Sequence, residues 1–234
     1  IDTAAIYRNE SSVGRAIADA DVSRDELFIT TKLWNADQGY DSTLRAFDES
    51  MKRLGIDVLD LYLIHWPGTE LFVDTWKAME KLYKDGRIRS IGVSNFLSHH
   101  LQELAEKTQV VPAVNQIEVH PYLLQQDAED YCKAHDILIE AWSPLMSGKT
   151  ALEDPVIGKI AQAHGKSAAQ TILRWHVQEG RRVIPRSTNQ QRIAENFNIF
   201  DFELSADEVA AINALAAAKN ERTGPHPDEF FKNW

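Results

Sequence analysis

The stretch Val58-Leu59-Asp60-Leu61-Tyr62-Leu63-Ile64-His65-Trp66-Pro67 holds an apolar run of strand length that ends at a histidine. Such a run, with little polar alternation, is typical of a strand that is buried on both faces. Apolar residues with helical spacing lie on both sides of it: Leu44, Phe47, Met51 and Leu54 before it, and Trp76, Met79, Leu82 and Tyr83 after it. The sequence here predicts a buried strand between two amphipathic helices.

The same alternation of strand and helix continues along the chain. Further apolar runs lie at residues 27–31, 90–93, 113–119, 137–141 and 182–184, and residues 1–4 resemble the end of another strand. Helical spacing recurs at residues 13–20, 101–105, 127–135, 155–164, 167–178, 190–196 and 206–218. Ser167 and Ser205 are predicted N-caps, and Ser205 with Glu208 fits a capping box. This order predicts an α/β fold with a parallel sheet, in a single domain over residues 1–234.

Two α/β architectures fit this alternation. A (β/α)8 barrel typically needs about 250 residues. The chain has 234 residues, so we expect a barrel that lacks its first βα unit. An open doubly wound sheet that binds a dinucleotide usually carries a G-x-G-x-x-G turn. The glycines of this chain never fall as G-x-G, which favours the barrel.

Composition and charge exclude several classes of function. Lys and Arg number 25 and Asp and Glu number 35, so the formal net charge is −10. We therefore expect no binding to nucleic acid or to an anionic membrane surface. The single Cys132 excludes an internal disulfide and fits a reducing compartment, so we expect a cytoplasmic location. The apolar runs are too short for a transmembrane helix.

Four polar residues follow the first three apolar segments. Asp2 and Tyr7 come with the first segment, Lys32 follows the second, and His65 follows the third. The active sites of parallel barrels lie at the C-terminal ends of the strands, so these side chains are expected to meet at one mouth. Each alone also fits a structural role, as a packing tyrosine, a solvated lysine, a structural histidine or an aspartate in a turn. Their coincidence predicts a shared site.

This quartet suits the reduction of a carbonyl group. Hydride addition to the carbonyl carbon requires a proton at the oxygen, and a free tyrosine, with a pKa of about 10, is a poor donor at neutral pH. The Lys32 ammonium would make Tyr7 a better donor, and Asp2 would balance the buried charge. His65 would hydrogen-bond and orient the carbonyl oxygen.

Two other chemistries are open to the same residues. A metal site could use His65 and His120, which lack the close paired spacing of the common zinc motifs, so we expect no metal. A Ser-His-Asp hydrolase is a further alternative, but the sequence has no G-x-S-x-G elbow.

At these residues the chain resembles the aldo-keto reductase family. The matching motifs span the chain in family order: Ile1-Asp2-Thr3-Ala4-Ala5-Ile6-Tyr7, Thr30-Thr31-Lys32-Leu33-Trp34, Asp60-Leu61-Tyr62-Leu63-Ile64-His65-Trp66-Pro67, Gly86-Arg87-Ile88-Arg89-Ser90-Ile91-Gly92-Val93-Ser94-Asn95-Phe96, Asn115-Gln116-Ile117-Glu118-Val119-His120-Pro121, Ala141-Trp142-Ser143-Pro144-Leu145 and Ile184-Pro185-Arg186-Ser187. The resemblance implies a (β/α)8 barrel that binds NADPH across its mouth, with Tyr7 as general acid, Lys32 and Asp2 as its tuning pair and His65 as the orienting group.

The resemblance also assigns residues to the cofactor and the substrate. The nicotinamide would be held by Ser94, Asn95, Gln116 and Trp142, the pyrophosphate by Ser143, Leu145 and Ser147, the adenosine 2′-phosphate by Arg186, Ser187, Thr188 and Arg192, and the adenine by Glu195 and Asn196. Many relatives have Tyr in place of Trp142 and Lys in place of Arg186; stacking and phosphate binding survive both changes, which favours NADPH over NADH. Trp34 and Trp66 would wall the substrate site, although both also fit packing roles.

Family members normally have a β-hairpin, a first strand and a first helix before the position of Asp2, and we expect these to be missing here. The short loops look most like those of the bacterial 2,5-diketo-D-gluconate reductases. The sequence therefore predicts a monomeric, NADPH-dependent reductase of a keto sugar acid. The alternatives are a methylglyoxal or general carbonyl detoxification enzyme, and a binding module that senses NADPH without turnover.

Overall fold

A computed structural model describes residues 1–68, 70–148 and 150–230 of the chain. Its strands are β1 (Thr30–Leu33), β2 (Leu59–Ile64), β3 (Ile88–Ser94), β4 (Val114–Glu118), β5 (Leu138–Trp142) and β6 (Arg182–Val183). Its helices are α1 (Glu10–Asp19), α2 (Tyr40–Leu54), α3 (Phe72–Lys84), α4 (Ser98–Lys107), α5 (Gln126–Ala134), α6 (Pro155–Ala163), α7 (Ala168–Gln178), α8 (Gln190–Phe197) and α9 (Ala206–Lys219). The strands form one sheet in chain order, and the pairs β1–β2, β2–β3 and β5–β6 are parallel. The predicted α/β class is thereby confirmed.

The second apolar run starts as a strand later than predicted. Residues 27–29 precede β1, which begins at Thr30. The Ile29 N–H donates to the Asp60 carboxylate at 2.8 Å, and the Arg24 guanidinium donates to the Leu27 carbonyl at 2.7 Å. These backbone groups bond to side chains, and side-chain partners of this kind compete with a strand ladder. Residues 1–4 likewise contribute an isolated parallel bridge, between Asp2 and Thr30, in place of the predicted strand.

The chain folds into two compact units. Unit 1 contains Ile1–Asn115, Tyr131–Ile137 and the described residues from Pro227 onward. All six residues of β2 are buried in it, as the apolar run predicts for a strand covered on both faces. Helices α1 and α2 touch at Gly14, where an added Cβ would lie 2.5 Å from the Leu54 carbonyl oxygen. Only glycine permits this approach, which packs α1, the helix after the Tyr7 segment, against the end of α2.

Unit 2 contains Gln116–Asp130 and Leu138–His226. The predicted caps are confirmed here: Ser205 and Glu208 form a capping box at the start of α9, and Ser167 caps α7. The buried Trp175 indole N–H donates to Asn213 Oδ1 at 2.8 Å, which ties α7 to α9. Whether the two units make one domain, as the sequence predicts, stays a prediction.

Candidate active site

The predicted ion pair between Lys32 and Asp2 forms inside unit 1. Lys32 lies in β1 with its side chain fully buried, and its ammonium donates to the Asp2 carboxylate and to the Thr3 carbonyl, the latter at 3.0 Å. The bridge between Asp2 and Thr30 brings the carboxylate beside the strand. A buried ammonium is costly unless an opposite charge and hydrogen bonds compensate it, and both are present.

Tyr7 lies over this ion pair at the end of a short 3₁₀ helix, Ala5–Tyr7. The helix ends because Arg8 adopts a left-handed conformation with φ of 55°. The Lys32 ammonium lies 5.3 Å from the centre of the Tyr7 ring, and 51% of Tyr7 is exposed. The tyrosine is thus open to a ligand on one side and close to a cation on the other.

His65 follows β2 and meets the Tyr7 ring edge to face, with ring centroids 5.7 Å apart. His65 is buried, and within the described parts of the chain its Nδ1 has no hydrogen-bond partner. Burial, together with the nearby charge of Lys32, lowers the pKa of His65 to about 3. The imidazole is therefore neutral at physiological pH and carries one N–H that can donate to an oxygen.

Three aromatic rings pack in a row that begins at His65 and form what we call the aromatic wall: Trp34, Phe230 and Trp66. Trp34 packs edge to face on His65 at 5.3 Å and on Phe230 at 6.2 Å, and Phe230 stacks on Trp66 at 4.4 Å. The two tryptophans are those predicted from the sequence. Phe230 was missed because it follows no strand; the aromatic pair at residues 230–231 was the available signal.

The predicted nicotinamide residues lie in both units. Ser94 ends β3 in unit 1, and Asn95 follows in a left-handed conformation with φ of 62°. The Asn95 amide donates to the His65 carbonyl at 3.0 Å and to the Ser94 hydroxyl at 3.2 Å, so it joins the ends of β2 and β3. In unit 2, the Gln116 amide of β4 donates to the buried Glu140 carboxylate at 2.8 Å, and Trp142 ends β5. These contacts hold Gln116 in one orientation.

A cavity of about 760 Å³ lies in unit 2 and gathers the remaining predicted cofactor residues. Its lining includes every residue predicted for the pyrophosphate, the 2′-phosphate and the adenine: Ser143, Leu145, Ser147, Arg186, Ser187, Thr188, Arg192, Glu195 and Asn196. In the parts of the chain that the structure describes, neither Arg186 nor Arg192 pairs with a carboxylate. Two guanidinium groups that no described carboxylate neutralises, beside several hydroxyls, suit a phosphorylated ligand such as NADPH.

The backbone beside the cavity also points to a ligand site. Ser143, Met146 and Ser147 all have positive φ values, of 52°, 51° and 57°. Non-glycine residues in this region are strained, and such residues cluster where a ligand is clamped. Ser167 and Asn189, the N-caps of α7 and α8, also line the cavity, although the sequence analysis did not predict them as cofactor residues. Their positions at helix starts, where anions bind, were the signal that could have found them.

Among the residues that the structure describes, one group could hold a metal ion: His99, His100 and Asp228, in unit 1. The Leu97 N–H donates to His100 Nδ1 at 3.1 Å, so the neutral ring carries its proton on Nε2. That Nε2 lies 3.3 Å from Asp228 Oδ1, and His99 Nε2 lies 3.1 Å from the same oxygen. Hydrogen bonds explain the cluster, and the predicted absence of a metal stays a prediction.

Comparisons with known proteins agree with this geometry. The sequence profile described as "Aldo/keto reductase family" matches residues 1–217. A glyoxal reductase of Bacillus subtilis is 57% identical over 231 residues, which are 99% of this chain and 83% of the relative. The methylglyoxal reductase DkgA of Escherichia coli is 47% identical over 233 residues, 98% of this chain and 83% of the relative.

Solved structures give the same family. A variant of Gox0644 in complex with NADPH is 48% identical and has a TM-score of 0.91. The match covers 97% of this chain and 82% of the Gox0644 chain. A candidate 2,5-diketo-D-gluconic acid reductase B is 35% identical and has a TM-score of 0.91. The match covers 97% of this chain and 81% of the reductase chain.

The fold and the site thus define an NADP(H)-dependent oxidoreductase that reduces carbonyl groups on small molecules. The chain belongs to the aldo/keto reductase family, and its fold class is the (β/α)8 barrel. The predicted family, cofactor and enzyme class are confirmed. None of the described helices is long and apolar enough to cross a membrane.

Proposed function

We propose that the protein reduces small 2-oxoaldehydes, such as glyoxal and methylglyoxal, to hydroxy compounds with NADPH. The names of its relatives carry this proposal: the glyoxal and methylglyoxal reductases are 57% and 47% identical to it, against 35% for the candidate 2,5-diketo-D-gluconic acid reductase B. This favours the detoxification alternative of the sequence analysis over the keto sugar acid. The aromatic wall is consistent with a 2-oxoaldehyde as substrate, since its three rings offer no positive charge to bind the carboxylate of a sugar acid.

In the proposed reaction, NADPH supplies a hydride to the carbonyl carbon when it is bound. Tyr7 donates its hydroxyl proton to the carbonyl oxygen, which becomes the alcohol. Lys32 stabilises the phenolate that forms, and Asp2 compensates the buried ammonium in turn. His65, neutral because of its burial, donates its N–H to the carbonyl oxygen and orients it.

The cofactor residues have roles that follow from their chemistry. Ser94, Asn95 and Gln116 bind the carboxamide of the nicotinamide, and Trp142 stacks on its ring. The hydroxyls of Ser143 and Ser147 and the loop at Leu145 bind the pyrophosphate. The cavity of unit 2 holds the adenosine end, with the 2′-phosphate on Arg186, Ser187, Thr188 and Arg192 and the adenine beside Glu195 and Asn196. We also propose a cytoplasmic location, on the single cysteine of the chain, and a monomer.

The test is the loss of NADPH absorbance with glyoxal, methylglyoxal and 2,5-diketo-D-gluconate measured in parallel. We expect kcat/KM to be higher for the two 2-oxoaldehydes than for the sugar acid. The reverse order would restore the keto sugar acid as substrate. Tight NADPH binding with negligible turnover on all three and on a wider carbonyl panel would instead support the binding-module alternative.

A further inference from the structure

Glu118, at the end of β4, is a fully buried carboxylate outside the predicted site. It accepts hydrogen bonds from the Thr223 N–H at 2.6 Å, from the Thr223 hydroxyl at 2.5 Å and from the Gly224 N–H at 3.2 Å. The His120 ring lies 3.1 Å from the same carboxylate. Four donors from two segments of unit 2 converge on this one side chain, which fixes the backbone at residues 223–224.

That backbone lies against the ring of Trp142. A Cβ added to Gly224 would come 2.5 Å from Cη2 and 3.3 Å from Cζ2 of the indole. The first of these distances is far below van der Waals contact, so residue 224 must lack a side chain or the ring must move. Gly224 thus packs against the edge of the indole, and its N–H is held there by the Glu118 carboxylate, while residues 221 and 222 are anchored separately on Tyr122 and Gln125.

The negative charge of Glu118 strengthens its hydrogen bonds to Thr223 and Gly224. Burial alone raises the pKa of the carboxyl group, but the hydrogen bonds from His120, Thr223 and Gly224 together outweigh burial and leave the pKa below its ordinary value. The carboxylate therefore stays ionised at physiological pH. Hydrogen bonds to an ionised acceptor are about twice as strong as neutral ones.

We infer that Glu118 and Gly224 are positioning residues that fix the plane of the Trp142 ring and so the face on which the nicotinamide stacks. The inference rests on the proposed function for the role of Trp142 toward the cofactor. The contacts among Glu118, Gly224 and Trp142 are independent of that role. The competing explanation is that Glu118 only anchors the chain after α9.

The first experiment follows the Trp142 indole N–H resonance in the protein without cofactor, assigned by its loss in Trp142→Phe. We expect Gly224→Ala and Glu118→Gln to shift this resonance. Gly158→Ala is the matched control, because a Cβ at that helical glycine meets nothing within 4 Å. An unmoved Trp142 resonance in both variants would overturn the inference.

A second experiment measures the binding of the nicotinamide end and of the adenosine end of the cofactor separately. We expect Gly224→Ala to weaken NADPH binding or lower kcat by up to about tenfold, the size of an aromatic stacking contribution. Its affinity for adenosine 2′,5′-bisphosphate, which lacks the nicotinamide, should stay within about twofold of the parent protein. If the indole resonance shifts while NADPH affinity and kcat stay unchanged, the positioning of the ring stands and the stacking role of Trp142 fails.

A Trp142→Phe background tests whether any loss of stability in Gly224→Ala comes from contact with the indole ring. Phenylalanine is smaller than tryptophan, so in a Trp142→Phe background the added Cβ has room. We expect Gly224→Ala to lower the Tm markedly in the parent protein and much less in that background. An equal drop in both backgrounds would mean that Gly224 does not act through the ring of Trp142, and would overturn the inference.

Discussion

The rings of Tyr7 and His65 meet edge to face, with centroids 5.7 Å apart and planes at 84°. One ring is half exposed and the other is buried. In the proposed reaction, this pairing lets Tyr7 supply the proton while the neutral His65 donates its N–H to the same carbonyl oxygen.

Tyr7→Phe keeps the ring against His65 and removes only the hydroxyl. Because the hydroxyl supplies the proton in the proposed reaction, we expect kcat/KM for methylglyoxal to fall by roughly 100- to 10,000-fold. The affinity for NADPH, measured by fluorescence titration, should hardly change. Full activity of Tyr7→Phe would remove Tyr7 from the role of general acid.

The buried imidazole of His65 predicts how stability depends on pH. Its pKa in the folded protein is about 3, below the ordinary value of 6.5, so the unfolded chain binds the proton more readily. The contribution of the neutral ring to stability is therefore complete above pH 6.5 and is lost as the pH falls toward 3. We expect His65 to lower the free energy of unfolding by about 2 kcal/mol when the pH falls from about 8 to about 5.

Urea unfolding of the parent protein and of His65→Gln at both pH values measures this cost as the difference between their pH dependences. Burial also lowers the pKa of His176, which adds the same trend to both proteins and cancels in the difference. Identical pH dependences would contradict the prediction. In kinetics, we expect no inflection of kcat/KM near pH 6.5 from His65, because the ring is already neutral there.

The ion pair between Asp2 and Lys32 predicts strong coupling between two substitutions. Asp2→Ala leaves a fully buried ammonium without its counter-charge, so we expect a loss of about 3–5 kcal/mol in the free energy of unfolding. Adding Lys32→Met to Asp2→Ala removes the orphaned charge and should restore much of that loss. Reductase activity should stay low in both proteins. Additive losses in stability would show that the pair is not coupled.

The guanidinium of Arg186, which pairs with no carboxylate among the described residues, predicts cofactor choice. We expect Arg186→Ala to weaken NADPH binding by about 10- to 100-fold, the value of a charge-assisted hydrogen bond, and to leave NADH binding nearly unchanged. Arg45→Ala, at an exposed position of α2 in unit 1, is the matched control for the loss of one positive charge. Equal weakening of NADPH and NADH by Arg186→Ala would separate Arg186 from the 2′-phosphate.

The elements that could be predicted from the sequence are those whose signals are local. The run before His65 and the capping box at Ser205 and Glu208 depend on neighbouring residues, and both form as predicted. The start of β1 could not be predicted, because it depends on the Asp60 carboxylate, which lies in another strand and takes the Ile29 N–H.

The candidate site shows the same limit. Tyr7, Lys32 and His65 were predicted because strand ends mark them, and the structure brings them together. Phe230 and the link from Glu118 to Gly224 depend on where the end of the chain packs, which no short-range pattern encodes. The substrate class was the weakest prediction, since the aromatic wall is built from residues distant in sequence.

The packing of Phe230 has a consequence for how this enzyme could diverge. Trp34 directly follows β1 and Trp66 lies two residues after β2, so both positions are tied to strands of the sheet. Phe230 contacts the same surface from a position after the last helix. In the proposed function the aromatic wall bounds the substrate, so a substitution at residue 230 would change that wall without replacing a strand residue, Tyr7 or a residue of the unit 2 cavity. We therefore expect substitutions at residue 230 to change the substrate range more than the reaction chemistry, and libraries that aim at new substrates should begin at that position.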